Sequence, residues 1–311
     1  MRIAFFGTSE FVGSLQNARF LRRLIIGGLK PVLAVTAADG HGTGAVKLAA
    51  LEFGIPVLQP VTLGGFAEES KAHDIKLSLV VAYGKILPPD VLAVPEFGSL
   101  NIHPSLLPRW RGTTPIQSAI LAGDALSGVT IIQMDSEMDH GPIVAFREFP
   151  LSDRAWTALE LSDALTDLGV ELFLETLRSW ATGKITPRPQ DHAAATYSRI
   201  LKKEDGHIDW AMPARDIERQ VRAFQPWPGA YMFWQRNGNA IRLAIERARV
   251  KGEGVKSEGR PGEVFDENDE FLVAAGRGTM AIQQLKPEGG KSMPGEDFLR
   301  GHREIVGTIL G

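Results

Sequence analysis

Leu77-Ser-Leu-Val-Val-Ala-Tyr83 is the stretch on which the fold turns. It is a nearly continuous apolar run, short for a helix. It reads as a strand buried on both faces, as in a parallel sheet covered by helices on each side. Outward from it, the chain repeats the alternation such a sheet needs. Residues 3–6, 32–35, 99–102, 129–134 and 143–149 read as further strands. Residues 11–29, 46–53, 116–121 and 156–180 carry apolar side chains at helical spacing. Strand and helix in alternation predict an α/β domain with a mostly parallel sheet.

Residues 184–195, rich in proline, alanine and polar side chains, break this rhythm and read as a linker extending over about 184–204. Beyond it come one helix, 213–224, and strand-like pieces at 230–234, 240–248, 262–265, 271–274 and 280–285, punctuated by glycines. That pattern suits a small β-barrel. With 311 residues, 44% of them hydrophobic, the chain has material for two domains, expected at 1–188 and 205–311.

The absence of cysteine excludes disulfides, thiolate nucleophiles and cysteine-ligated metals. A formal net charge of -3 neither demands nor excludes an RNA partner, since a local basic face can coexist with an acidic average. No apolar stretch is long enough to span a bilayer. The first residues read as a strand rather than a signal peptide, so a cytoplasmic setting is expected.

The chemistry concentrates in Asn101-Ile-His-Pro-Ser-Leu-Leu-Pro-Arg-Trp-Arg-Gly112. Asn101 and His103 lie two apart at a strand end, so both side chains share a face. In an open α/β sheet, ligands sit beyond the carboxyl ends of the strands. Pro104 and Pro108 stiffen the loop that follows. Met134-Asp-Ser-Glu-Met-Asp-His-Gly-Pro142 follows another strand and supplies Asp135, Glu137 and Asp139. A carboxylate near His103 would orient its ring and stabilise its charged form. On spacing alone an Asn-x-His pair is more often structural than catalytic, and an acidic loop is usually a solvated turn. His140 has no second histidine at ligand spacing, so no metal is expected. Gly7-Thr8-Ser9 is not G-x-G-x-x-G, so dinucleotide binding is not supported.

Asn101-Ile-His103-Pro-Ser105-Leu-Leu-Pro108, then Arg111-Gly112, and Asp139-x-Gly141 after a strand, together resemble the 10-formyltetrahydrofolate-dependent formyltransferase family. Pro115-Ile-Gln117, Lys203 through Trp210, Arg222 through Tyr231 and Phe298 through His302 are similar to the branch acting on initiator tRNA. The resemblance covers nearly the whole chain. It implies a Rossmann-like formyltransferase domain followed by a C-terminal barrel of oligonucleotide-binding (OB) type.

The resemblance also implies roles. Asn101, His103 and Asp139 fall on the family's catalytic trio. Ser105, Leu106, Leu107 and Pro108 would border the folate, with Ile86 and Leu87 in the pterin wall. Folate would be a co-substrate, and no metal is needed. The acceptor would be the methionine amino group of initiator methionyl-tRNA, and a monomer is expected. Attack by that amine gives a tetrahedral intermediate whose oxyanion Asn101 and His103 can bind, while Asp139 orients His103 and helps move the proton. Arg109, Arg111, Arg215, Arg219 and Arg222 are the candidate tRNA contacts, the last three at spacings that share one helix face. Residues 36–46 depart from the family, which usually has a long basic loop there; this stretch has no Lys or Arg. A sugar-nucleotide amine is therefore the alternative acceptor. A non-catalytic RNA-binding protein is a third reading, disfavoured by the presence of all three catalytic residues.

Overall fold

The structure, a computed structural model, describes residues 1–8, 16–38, 44–252 and 259–311. Residues 39–43, within the 36–46 stretch that has no Lys or Arg, therefore lie outside the described residues. The chain divides into two compact units. The first comprises Met1–Ala119, Asp124–Arg154 and Glu160–Arg199; the second comprises Ile120–Gly123, Ala155–Leu159 and Ile200–Gly311.

The first unit is built on a seven-stranded sheet of β1 (Ile3–Phe6), β2 (Leu33–Val35), β3 (Val57–Leu58), β4 (Leu77–Val80), β5 (Ser99–His103), β6 (Leu126–Gln133) and β7 (Ile143–Pro150). Their spatial order is β3-β2-β1-β4-β5-β6-β7. The first five pair in parallel. β6 and β7 run antiparallel, so the expected parallel sheet carries an antiparallel edge. Side-chain periodicity marks a strand and leaves its direction open, which is why the sequence did not distinguish this edge. All four residues of β4 are buried, as an apolar run with covered faces requires.

The helices are α1 (Asn17–Ile26), α2 (Ala45–Glu52), α3 (Phe66–Ala72), α4 (Pro89–Leu92), α5 (Pro115–Ala122) and α6 (Ala158–Ala181). α1 buries Asn17, Phe20, Leu21 and Leu24, a helical stripe with one polar member. Asn17 is buried because its amide donates to Thr8 O at 2.5 Å and Ala82 O at 3.2 Å, tying together the loops after β1 and β4. Arg19 and Arg23 both grip Asp167 of α6, at 2.6 and 3.1 Å.

The Arg19 hydrogen bond holds the Asp167 carboxyl below its ordinary value, helped by Arg23. A carboxyl lowered on folding adds stability above its unfolded pKa, and that share disappears as pH falls through the folded value. The groups are half-exposed, so the contribution is about 1 kcal/mol or less. Urea unfolding of Asp167→Asn should trail the parent near neutrality, with a gap that begins to shrink near the unfolded value of about 4 and closes as pH falls through the lower folded value. A gap that persists at low pH would exclude this linkage.

Residues 184–199, expected as a linker, instead pack on the first unit. Arg188 bridges Ile143, Tyr197 bridges Arg111, and Gln190 is buried. Backbone pairing with residues 108, 111 and 143 holds the segment in place.

The second unit contains α7 (Ala214–Ala223), β8 (Ala230–Arg236), β9 (Asn239–Lys251), β10 (Val264–Glu267), β11 (Glu270–Ala274), β12 (Thr279–Pro287), β13 (Met293–Pro294) and α8 (Gly295–Gly301). Its strands pair antiparallel in the order β10-β11-β12-β9-β8, with β13 on β12. The last residues join the two ends of this path. Gly311 exchanges hydrogen bonds with Phe233 of β8, while Thr308 and Gly307 pair with Val264 of β10. The sheet curls as in an OB-like barrel. Trp234, Phe271, Phe298 and Leu310 lie in its core.

Candidate active site

The site grows from the end of β5. Asn101 and His103 share a face of that strand. The 134–142 loop after β6 brings Asp139 back over them. Asn101 Nδ2 donates to Asp139 Oδ1 at 3.2 Å, and His103 Nδ1 stands 3.5 Å from the same oxygen. The Gly112 N–H donates to Asp139 Oδ2 at 2.8 Å. The His103 and Asp139 side chains are only 5% and 13% exposed, so the carboxylate depends on these three partners in place of water. Asp139 has φ of +52°, the left-handed region that a short polar side chain tolerates best. Gly141, two residues on, is needed because a Cβ there would overlap Gln133 O.

The far edge of the His103 ring is also fixed. Its Nε2 lies 2.9 Å from Trp110 O. A carbonyl only accepts, so Nε2 carries the proton and Nδ1 is the edge turned to Asp139. Trp110 is itself left-handed, with φ of +60°. Its N–H donates to Thr196 Oγ1 at 2.9 Å and its indole N–H to Asp124 at 2.7 Å. Arg109 forms a two-pronged pair with Asp124, at 2.9 and 2.6 Å, and lies 4.4 Å from the Trp110 ring centre. The bond to Asp124 raises the Arg109 guanidinium above its ordinary value.

The expected folate wall divides. Ser105, Leu107 and Leu87 are buried, at 2%, 7% and 1% exposure, which removes them from the accessible surface. Ser105 Oγ donates to Arg109 O, while Thr130 Oγ1 donates to Ser105 O and accepts from Leu107 N–H, so β6 clamps the loop. Leu87 packs in the core with Phe66 and Tyr83, where burial pushes the Tyr83 phenol upward. Leu106 and Pro108 are half-buried, and Ile86 is exposed. A cavity of about 640 Å³ opens beside the start of β5, lined by Leu92, Phe97, Ser99, Met134, Asp135 and Trp180 among others. Sequence reasoning missed it, since its walls come from chain segments that no local pattern links.

The arginines divide too. Arg111 is 2% exposed, with its guanidinium on Gln190 Oε1 at 2.8 Å and His192 Nδ1 at 2.8 Å. Buried there, Arg111 offers no cation to a phosphate, contrary to the tRNA contact expected of it, and the accessible cation of the Arg-Trp-Arg stretch is Arg109. On α7, Arg215 is exposed, Arg219 lies 3.4 Å from Asp216, and Arg222 is paired with Glu218 at 2.6 Å. On the barrel, Arg249 and Lys251 pair with Glu270, and Arg260 with Glu263. Among the described residues, no group of three or more His, Asp or Glu is placed to hold a metal. None of the described helices is long and apolar enough to cross a membrane.

Comparison with known proteins follows the same two-part division. The formyl transferase model matches residues 62–177, and the formyl transferase C-terminal domain model matches residues 200–303. The methionyl-tRNA formyltransferase of Roseiflexus castenholzii is 41% identical over all of this chain and 99% of its own length. That of Citrifermentans bemidjiense is 39% identical over all of this chain and 96% of its own. Among solved structures, an N-formyltransferase from Helicobacter canadensis superposes with a TM-score of 0.65 at 17% identity, over 94% of this chain and 100% of that one. HypX from Aquifex aeolicus gives 0.65 at 22% identity, over 98% of this chain and 50% of that one. These two likenesses concern the fold. By the full-length sequence match, the chain belongs to the formyl transferase family and is a formyltransferase enzyme.

Proposed function

We propose that this enzyme moves the formyl group of 10-formyltetrahydrofolate onto the methionine amino group of initiator methionyl-tRNA, with Asn101, His103 and Asp139 as its catalytic trio. The observation that carries the chemistry is the convergence of Asn101 Nδ2 and His103 Nδ1 on Asp139 Oδ1, at 3.2 and 3.5 Å. An amide donor, an imidazole edge and a carboxylate meeting at one point suit amine acylation. For the acceptor, the support is the full-length similarity to relatives that bear that tRNA-specific name.

In the reaction a bond forms between the amine nitrogen and the formyl carbon, and the bond from that carbon to N10 of the folate breaks. One proton leaves the amine and one reaches N10. As the amine adds, the formyl oxygen gains negative charge. Asn101 can turn its amide N–H from Asp139 to that oxygen. His103, with Nε2–H engaged by Trp110, presents Nδ1 and in its protonated form gives a second hydrogen bond. Each such donor contributes roughly 3–4 kcal/mol. Asp139, released by Asn101, accepts the amine proton directly or through a water. The folate would lie against Leu106, Pro108 and Ile86, the members of the expected wall that stay accessible. The cavity beside the start of β5 is lined by none of the trio.

A sugar-nucleotide amine remains the second reading, because residues 36–46 have no Lys or Arg and Arg111 is buried, which thins the cationic surface an RNA would use. A transfer assay with 10-formyltetrahydrofolate should formylate charged initiator tRNA far faster than any amino-sugar nucleotide. The reverse order would replace the acceptor and keep the trio. Inactivity on both would remove the acceptor and the proposed chemistry together.

A further inference from the structure

Gln190 uses every polar atom of its side chain next to the site, although it comes from the stretch that reads as a linker. It is 5% exposed. Its Oε1 accepts from Arg111 Nε at 3.2 Å and from a terminal guanidinium nitrogen at 2.8 Å. Its Nε2 donates to Asp139 O and to Gly141 O, each at 2.8 Å. The amide therefore cannot flip: reversed, it would set an oxygen against two carbonyls and an NH₂ against a guanidinium. Arg111 fixes which way Gln190 faces.

Asp139 needs such a hold. Its left-handed backbone is disfavoured for any residue but glycine and persists only where the surroundings impose it. That conformation is also what turns the carboxylate toward Gly112 N–H, Asn101 and His103. Neighbouring carbonyls, on residues 139 and 141, are gathered by one NH₂ group, which fixes the local path of the loop.

We infer that Gln190, oriented by Arg111, is a positioning residue for Asp139: it holds the Asp139–Gly141 backbone in the conformation that presents the carboxylate. This rests on the catalytic role proposed for Asp139. The polar fork acts on where the carboxylate lies, so removing it should lower turnover and leave binding of either substrate nearly intact. Displacing a catalytic group by about 1 Å can cost roughly 10²-fold.

The test is a double-mutant cycle on the full chain, read as kcat and KM for each substrate together with Tm. Gln190→Met keeps the volume and removes the fork. Gln190→Glu keeps the bond to Arg111 and replaces the NH₂ by an oxygen facing the two carbonyls. Both should lower kcat by about 10²-fold with each KM within about threefold, read at a temperature where every variant is folded, because the buried groups left unpaired also lower Tm. In the Asp139→Asn background, Gln190→Met should cost almost nothing more, because the group it positions no longer acts. Wild-type kcat in both Gln190 variants overturns the inference. So do losses that add fully to that of Asp139→Asn, or losses carried by a rise in KM, which belong to a structural role. A wild-type rate in Asp139→Asn alone overturns the catalytic reading, and this inference with it.

Discussion

Asp139→Asn should fold normally and lose about 10²–10⁴-fold in kcat, the range expected when a general acid–base group is removed. Asparagine is the informative replacement. It is one of the few side chains that tolerates the left-handed backbone found here, so the loop path survives. Its amide oxygen can still accept from the Gly112 N–H, which the carboxylate now holds at 2.8 Å. What it cannot do is take a proton from the attacking amine or face His103 with a full charge. Alanine would mix this loss with backbone strain. Asn101→Ala should cost roughly 3–4 kcal/mol of transition-state stabilisation, about 10²–10³-fold, with substrate binding nearly unchanged. Steady-state formyl transfer, with folate binding and circular dichroism as controls, separates chemistry from folding. An Asp139→Asn enzyme within about tenfold of the parent would remove Asp139 from the trio.

The parts of this site that were legible in the sequence are those with local signatures. Asn101 and His103 were readable because a strand puts alternate residues on one face, and β5 does run through both. From the residue pattern Asp139 was one of three acidic side chains in a loop after a strand, and the family resemblance singled it out; its arrival beside His103 depends on β6 pairing with β5, which puts Thr130 opposite His103. Gln190 was not legible. It reaches Asp139 across 51 positions, and a glutamine in a Pro- and Ala-rich segment looks like solvent-facing chain. Arg111 was misread for the matching reason. An arginine beside another reads as a surface cation, whereas its burial is set by Gln190, His192 and Tyr197, all far along the chain. The short elements β3, α3 and α4 were also missed, since a two-residue strand, a seven-residue helix and a one-turn helix are each too short for a period to stand out.

In the second unit the largest expected effect is at Trp234 of β8. Trp234→Ala should destabilise the barrel by about 3–5 kcal/mol, whereas Trp234→Phe should cost less than about 1.5 kcal/mol. The side chain is 1% exposed and pairs across the strand with Ile241. Its ring meets Phe298 edge-on at 6.0 Å and His302 at 5.7 Å, and Phe298 stacks in turn on Phe271 at 6.0 Å. Alanine would leave a hole between β8 and α8 with rigid rings on its border, and rings packed on both sides close such a hole poorly. Phenylalanine retains most of the apolar volume. It also gives up nothing polar, because the Trp234 indole N–H has no hydrogen-bond partner among the described residues. Amide exchange along β8 and β9 is the suitable readout, since a chain of two units need not unfold in one step. Protection there should fall by roughly two to four powers of ten for alanine, on the conversion of 1.4 kcal/mol per decade, and by about one or less for phenylalanine. Equal protection in the alanine variant and the parent would mean that the barrel's cohesion lies elsewhere in the core, in Phe271, Leu285 and Leu299, and that the ring cluster around α8 only covers it.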